Sequence, residues 1–337
     1  MRRHLTPWRV TGAVVLLLVA TILILINIPS GQYILLPDTA HPVSPLVRVQ
    51  GARPVKSGKL YFVDVIERRA SKLETLFPWI HPHASFEPVG DVVPPCATAG
   101  QAEAAQLQAM ALSQQIAAEV ALRKLGYHVV VHRNGVIVSQ LYAGTNAPCN
   151  LQPMDVIVAV DGTPTPTIAA LHRVLAGVKP GDRLDLRVRR GGRVLTVHLR
   201  TVPTPGDPGH AFIGIAADQA AKIKLPIKVS IDASGIGGPS AGLAFALEVM
   251  QKLGRNVLHG HRVAATGEME LDGTVAPIGG VKQKTYGVRQ AGADVFLVPK
   301  AQDNARTARR YAGPLRIIPV RTFDQALRAL ATLPPGQ

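Results

Sequence analysis

The sequence predicts a mixed α/β protein behind one N-terminal transmembrane helix, with a mainly β segment inserted in the middle of the chain. Three observations carry this. Val10–Ile28 is uncharged and dominated by Val, Leu and Ile, long enough to span a bilayer as a helix. Residues 127–200 hold several short strand patterns, glycine turns and a single helical stretch. Beyond residue 209, strand-like runs alternate with helical ones, the pattern of an α/β fold.

The apolar segment also predicts a location. Arg2, Arg3 and Arg9 precede it and no equal basic cluster follows closely. The N-terminus, residues 1–9, is therefore expected in the cytoplasm, with 10–28 crossing the membrane and the rest outside it. A cleaved signal peptide is the rival. Its apolar core would be about 7–15 residues, followed by a small-x-small cleavage site, and Asn27-Ile28-Pro29-Ser30 is a poor one. Either way the two cysteines, Cys96 and Cys149, face a compartment that permits disulfides. The sequence leaves open whether they pair.

Composition narrows the partners. The net charge of +15 is spread along the chain. One cluster, Arg187, Arg189, Arg190, Arg193 and Arg200, reads as a solvated strand face. Contact with anionic headgroups near the anchor fits this charge. With 4% aromatics and no nucleic-acid motif, nucleic acid is not an expected partner. No CxxC or metal-spaced Cys/His set occurs. His81-Pro82-His83 and His259-Gly260-His261 lack a nearby carboxylate set and read as loop histidines. No metal or cofactor is expected.

After the anchor, Tyr33–Val49 is extended and broken by prolines, and Lys59–Ile66 reads as one strand. A Pro- and His-containing loop follows at about 77–99. Residues 101–125 form a long helix, because neither Gly nor Pro interrupts before Gly126. Val129–Val131 and Val136–Leu141 read as strands around an Asn134-Gly135 turn. Met154–Gly162 reads as a strand ending in a turn and Thr167–Gly177 as a helix. Leu184–Arg190 and Arg193–Arg200 read as a hairpin on Gly191-Gly192. The "DVIVAVDG" segment, the helix and the "GDRLDLRVRRGGRVLTVHL" hairpin resemble a bacterial-type PDZ domain. That resemblance implies capture of an extended peptide on a sheet edge. The usual Pro-Gly-Asp is here Pro153-Met154-Asp155, and the turn Arg133–Gly135 is the guess for its carboxylate loop. Pro203–Gly209 marks a boundary.

Two small-residue motifs lie beyond it. Gly238-Pro239-Ser240-Ala241-Gly242 puts a serine at the expected start of a helix, and Pro277–Lys284 puts Lys282 and Lys284 near the start of another. Small neighbours let a substrate backbone approach, and the helix start aims free N–H groups and a positive dipole end at the serine. The plain alternative is that Ser240 is an N-cap. Gly-x-Ser-x-Gly also matches the nucleophile elbow of α/β-hydrolases. Those need Ser, then an acid, then His. Only His259 and His261 follow Ser240, and the only acid between is Glu248 on the serine's own helix. That triad is effectively excluded. A lysine base remains, provided that burial lowers its pKa far below the usual 10.4 or so. Ile278 and Val281 are candidate apolar neighbours. Spacing alone does not choose between the two lysines.

Residues 205–337 resemble the proteolytic domain of Lon-type proteases, the S16 Ser-Lys peptidases. "GGPSAG" at 237–242, "ATGEMELDGTVAPIGGVKQK" at 265–284 and "AGADVFLVP" at 291–299 carry the match. The resemblance implies Ser240 as nucleophile and Lys284 as base. It implies Thr266 as a residue orienting the lysine, and Gly238, Pro239 and Ala241 as supporting residues. Two departures stand out. Gly237 occupies a position where many ATP-dependent members carry Asp, and no Gly-x-x-x-x-Gly-Lys-Ser/Thr loop occurs.

The whole chain is similar to membrane-anchored, PDZ-containing Lon-like proteases of bacteria. That likeness implies that residues 31–125 pack with the proteolytic domain at 205–337, with the PDZ-like domain at 126–202 inserted between. It further implies an ATP-independent serine endopeptidase outside the cytoplasmic membrane. Its partners would be unfolded or flexible proteins, and the family's habit points to a homo-oligomer, a hexamer. The rivals are a non-catalytic PDZ scaffold with a dead protease fold, and an amidase or esterase for small acyl substrates.

Overall fold

A computed structural model describes residues 7–55 and 57–334. Arg2 and Arg3, on which the expected orientation leans, lie outside the described residues. The chain opens with helix α1 (Pro7–Asn27). Its Trp8–Asn27 stretch is long and apolar enough to cross a membrane, and none of it is covered by the rest of the protein. The helix ends at Asn27, one residue before the expected limit, because Pro29 begins a strand.

That strand, β1 (Pro29–Pro37), lies between β5 (Val65–Ser71) and β6 (Ser85–Pro88) in an antiparallel sheet. Helix α2 (Lys72–Leu76) and a 3-10 turn (Pro78–Ile80) link β5 to β6, and the short α3 (Val89–Val92) follows β6. The Lys59–Ile66 run is not one strand. β4 (Lys59–Phe62) belongs to the central sheet and β5 to the sheet that follows α1. The break falls at Val63-Asp64. Val63 is 1% exposed and joins the core, so the chain turns there to bury it.

The central sheet has the order β2-β4-β16-β19-β20: β2 (His41–Pro42), β4, β16 (Arg262–Ala265), β19 (Val295–Pro299) and β20 (Arg316–Val320). Its inner pairs are parallel. β19 is buried at every position, as a parallel strand covered on both faces must be. Helices α7 (Gly242–Lys252), α8 (Val281–Gln290), α9 (Asn304–Tyr311) and α10 (Phe323–Ala331) complete this body. Two small ladders join it, β3 (Val47–Val49) with β15 (Val229–Ile231), and β17 (Glu268–Met269) with β18 (Val275–Ala276). The long helix α4 (Ala99–Lys124) starts on a capping box, Thr98 with Gln101. It buries Met110, Ile116, Val120 and Leu122 in the same core as Phe245 and Leu247 of α7. Three short strands (β2, β3 and β4) and one long helix, all N-terminal to the second sheet, are thus integral to the body built by the last third.

The intervening segment forms a second sheet of order β11-β10-β8-β7-β14, with β9 (Thr163–Pro164) on β8. Its strands are β7 (Val130–Leu141), β8 (Val156–Val160), β10 (Arg183–Arg190), β11 (Arg193–Arg200) and β14 (Ile215–Lys224). Helices α5 (Ala147–Asn150) and α6 (Ile168–Leu175) flank it. The expected Asn134-Gly135 turn does not exist. β7 runs straight through, and Asn134 is the extra residue of a bulge opposite Ala220-Ala221. Gly135, at φ +145°, approaches Val156 and Ile157 so closely that a Cβ would meet them at 2.5 and 2.7 Å. The carboxylate loop guessed there falls with the turn. Pro203–Gly209, read as a boundary, lies within a hairpin of β12 (Val202–Thr204) and β13 (Asp207–Phe212). The chain then re-enters the sheet through β14, and Ile213 and Ile215 join its core.

β7 and β14 tie the two bodies together. Val138 and Ala217 pack in the second core, whereas Val131, Ala221 and Ile223 pack against the first. Cys96 and Cys149 are disulfide-bonded, which clamps the segment before α4 to α5 and settles the pairing left open above. Met154, where the motif usually has Gly, sits at φ +69°. The site retains the glycine conformation without the glycine, at a cost of about 1 kcal/mol.

Candidate active site

Ser240 sits in the turn before α7, not in the helix. α7 begins at Gly242, and its N-cap, Ala241, makes no side-chain cap. The serine hydroxyl is therefore not a helix cap, because it is engaged elsewhere. Lys284 Nζ donates a hydrogen bond to Ser240 Oγ at 2.7 Å. Lys282 lies two residues earlier on α8 and points away, donating to the Ala84 carbonyl at 2.8 Å. Two positions apart on a helix are about 200° apart in azimuth, so only one of the pair reaches the serine.

The turn is held from three sides. Gly238, at φ +84°, adopts a left-handed conformation, and its N–H donates to the Gln106 carbonyl of α4 at 2.9 Å. Ser113 of α4 donates to the Pro239 carbonyl at 2.8 Å. The Ser240 carbonyl accepts from the Gly267 N–H at 2.8 Å and from Thr266 Oγ1 at 3.2 Å. Thr266 thus bonds to the backbone of Ser240; among the described residues it makes no hydrogen bond to Lys284, the residue it was expected to orient. Among the described residues the N–H groups of Ser240 and Ala241 donate no hydrogen bond. The departure at Gly237 has a steric reason. A Cβ there would lie 2.9 Å from Gln106 Cβ, so α4 leaves no space for an aspartate.

Burial brings the neutral amine of Lys284 within reach of mildly alkaline pH. Lys284 is 4% exposed, and burial lowers its pKa to about 8, with the nearby charge of Asp64 pulling the other way. Asp64 itself is raised, first by burial, and its Oδ1 is buried without a hydrogen bond. His41 Nε2 lies 3.5 Å from Asp64 and 3.6 Å from Asp38. Donor atoms of these three lie within 4.8 Å of one another, a spacing that a cation could use. The imidazole already stands between the two carboxylates. The other histidine pairs are engaged as loop residues. His81 meets Glu74 at 3.0 Å, His83 stacks on Tyr286, and His261 meets the Pro334 carbonyl at 2.6 Å.

Beside Pro239, a pocket of about 120 Å³ is enclosed by α4, the second sheet and β17. Asp218 and Glu268 both line it. Glu268 is pushed up to about 8 by burial, then by Asp218 and Glu270. An acid raised in the folded state binds its proton there and not in the unfolded chain between about pH 4.5 and 8. Stability therefore falls as pH rises through that window, by a few kcal/mol in order of magnitude. Glu268→Gln is expected to flatten the decline. A melting temperature measured from pH 5 to pH 8 should drop markedly in the wild type and little in the variant, and equal drops would disprove the assignment.

A second concavity, of about 280 Å³, lies between α6 and the edge strand β14. Leu171, His172 and Leu175 line one wall, and Phe212, Ile213 and Ile215 the other. Gly214 between them has φ +82°, and a Cβ there would strike Thr145 at 2.2 Å. The signal for this groove was Phe212-Ile213-Gly214-Ile215, a glycine flanked by apolar residues ahead of an edge strand. Sequence reasoning had placed that stretch beyond the boundary. Asp64 was missed because it read as an ordinary strand residue, and Gln106 and Ser113 because helix residues give no sign of what they brace.

Family profiles match both bodies. Residues 210–332 match that of the Lon protease (S16) C-terminal proteolytic domain. This part of the chain is a Lon-type proteolytic domain. Residues 124–201 match the PDZ profile. Lon protease 1 of Myxococcus xanthus is 41% identical over 98 residues, which are 28% of this chain and 12% of the relative. The Lon protease of Roseiflexus castenholzii is 33% identical over 161 residues, 48% of this chain and 19% of the relative. Lon protease 2 of Bacillus subtilis is 33% identical over 121 residues, 36% and 20%. The chain spans a fifth or less of the length of these curated relatives. Ser240, Thr266 and Lys284 all lie in the Lon-type domain, whereas the α4 residues that brace the serine turn and β4 of its central sheet come from outside it. The PDZ profile ends before β14, the strand that forms one wall of the groove.

Proposed function

We propose that the protein is an ATP-independent serine endopeptidase working through Ser240 and Lys284, anchored by α1 and acting on unfolded or flexible protein chains outside the cytoplasmic membrane. The observation that carries this is the 2.7 Å contact between Ser240 Oγ and a buried Lys284 amine. The neutral amine takes the hydroxyl proton as Oγ attacks a peptide carbonyl. The oxyanion is met by the open N–H groups of Ser240 and Ala241. The ammonium then protonates the leaving amine, an ester to Ser240 remains, and the amine activates the water that hydrolyses it. We further propose that the PDZ unit is inserted into a protease domain split between residues 31–125 and the C-terminal part. A substrate segment would add to the β14 edge against Leu171 and Leu175.

The test is cleavage of a fluorescently labelled unfolded protein by the full chain in detergent, without nucleotide. Cleavage by the wild type that is lost in Ser240→Ala supports the reading. Cleavage that survives both Ser240→Ala and Lys284→Ala would place the site elsewhere. Leu175→Glu in the groove is expected to raise KM severalfold for a long substrate while leaving kcat, and cleavage of a short peptide, unchanged. Asp64 raises the pKa of Lys284, so Asp64→Asn should move the acid limb of the kcat/KM profile to lower pH. An unmoved limb would remove Asp64 from the account.

A further inference from the structure

We infer that residues 73–80 form a second membrane attachment, an apolar finger inserted into the leaflet on the side of the bilayer that carries the folded body. This rests on the reading of α1 as a membrane span. Soluble surfaces scatter their exposed apolar residues. Here they are contiguous: Leu76 is 57% exposed, Phe77 37%, Trp79 69% and Ile80 48%, all within one turn of helix and one 3-10 turn. Among the described residues these four side chains stay at least a third exposed.

Their position identifies the occupant. Leu73, Phe77 and Trp79 share a cleft of about 600 Å³ with Val14, Leu18 and Leu25 of α1. The same face of α1 that would meet lipid is therefore continuous with the finger. From Leu25 down to Val14 is about 16 Å along a helix, roughly half the hydrocarbon thickness. If α1 spans, the finger is at acyl-chain depth. A protein partner would have to occupy space that lipid already fills.

The finger's polar groups are arranged for such a medium. Hydrocarbon tolerates backbone and side-chain polar groups only when they are paired within the protein. Glu74, 7% exposed, accepts from the Ser71 N–H and hydroxyl, both at 2.9 Å, and from Arg68 at 3.1 Å, and it meets His81 at 3.0 Å. Thr75 returns its hydroxyl to the Lys72 carbonyl at 3.0 Å. Pro78 opens the 3-10 turn and has no N–H to satisfy. Exposed cations mark the waterline. The Lys72 N–H donates to the Ile28 carbonyl, just past the end of α1, at 2.8 Å, and Arg69 stands beside it against Tyr33. Those charges suit anionic headgroups, and Tyr33 suits the interfacial belt.

The chain has two tryptophans, Trp8 on α1 and Trp79, so Trp8→Phe leaves Trp79 as the sole reporter. The full-length variant would be reconstituted into vesicles of phosphatidylcholine and phosphatidylglycerol, with or without bromine on the acyl chains. Flotation after an alkaline carbonate wash reports the span itself. We expect the protein to float, Trp79 emission to shift to the blue, most of it to be lost to brominated chains, and little to be lost to aqueous iodide. A floating protein whose Trp79 is quenched by iodide and not by bromine overturns the finger and leaves the span intact. A Trp79 reached by neither quencher means that a second protein surface covers it, which also overturns the finger. Protein that does not float overturns both.

Discussion

Lys284→Met is expected to produce an enzyme that is dead yet more stable at neutral pH. Loss of a nucleophile or its base costs roughly 10⁴–10⁶ in kcat where the two act as a unit, so Ser240→Ala and Lys284→Met should be equally inactive and their double variant no worse. Lys284→Arg should also be inactive, because a guanidinium does not deprotonate near neutrality. Stability separates the two positions. Burial lowers Lys284 from 10.5 to about 8, which in order of magnitude is about 3 kcal/mol against the charged amine. The sign follows from proton counting. Between about pH 8 and 10.5 the unfolded chain holds a proton that the folded one has released, so stability rises with pH across that window. Below it the folded state carries the full cost. Lys284→Met removes the cost, and the gain should show as a raised melting temperature at pH 7 that shrinks above pH 10. Ser240→Ala should show no such gain. Turnover by the wild type should rise with pH around an apparent pKa near 8 as the amine becomes neutral. A flat profile from pH 6 to 9, or a Lys284→Met protein less stable than the wild type at pH 7, would count against the buried neutral base.

Gly287→Ala is expected to be the most damaging single-methyl change near the site. Gly287 lies one turn beyond Lys284 on the face of α8 that meets the body's first strands. A Cβ there would stand 1.8 Å from the Asp38 carbonyl oxygen and 3.2 Å from Val63. Neither obstacle is the free end of a flexible side chain, so α8 itself must move. Overpacking of this kind costs about 1–3 kcal/mol and can cost more. The movement also carries Lys284 away from Ser240, so turnover should fall by about 10²-fold even in the fraction that folds, as small displacements of a catalytic group do. Gly279→Ala is the control. It lies in the same motif, yet nothing stands within 4 Å of its Cβ position, and its stability should stay within about 0.5 kcal/mol of the wild type. Thermal unfolding of the two variants side by side decides the point. Equal stability would mean that α8 is not seated where the structure has it.

The sequence reading was strongest where local chemistry is self-contained. The apolar run Val10–Ile28, the uninterrupted helix before Gly126 and the Gly191-Gly192 hairpin each depend on neighbours within a few residues. It was weakest where one element serves two bodies. Lys59–Ile66 looked like a single strand because alternation does not reveal that Val63 turns into one core while β5 leaves for another sheet. Asn134-Gly135 looked like a hairpin turn because the dipeptide is common in such turns. The long partner β14, about 80 residues further on, keeps the strand straight and turns the extra residue into a bulge. Pro203–Gly209 does fall between the two profile matches, but its prolines and glycines give no sign that it makes a hairpin or that the following strand pairs back onto β7.

By itself the sequence determined the long apolar N-terminal helix, the α/β character of the last third, the pairing of a serine motif with a lysine motif, and the absence of a histidine in triad order. These follow from residue type and spacing, which need no fold to be read. Only the tertiary structure decided which lysine meets the serine, that Thr266 serves the Ser240 carbonyl, that α4 fills the space beside Gly237, and that Cys96 reaches Cys149. Each of these is a contact between groups tens to more than a hundred residues apart. Such contacts are set by how helices and sheets pack to exclude water, and no local pattern encodes the register of that packing.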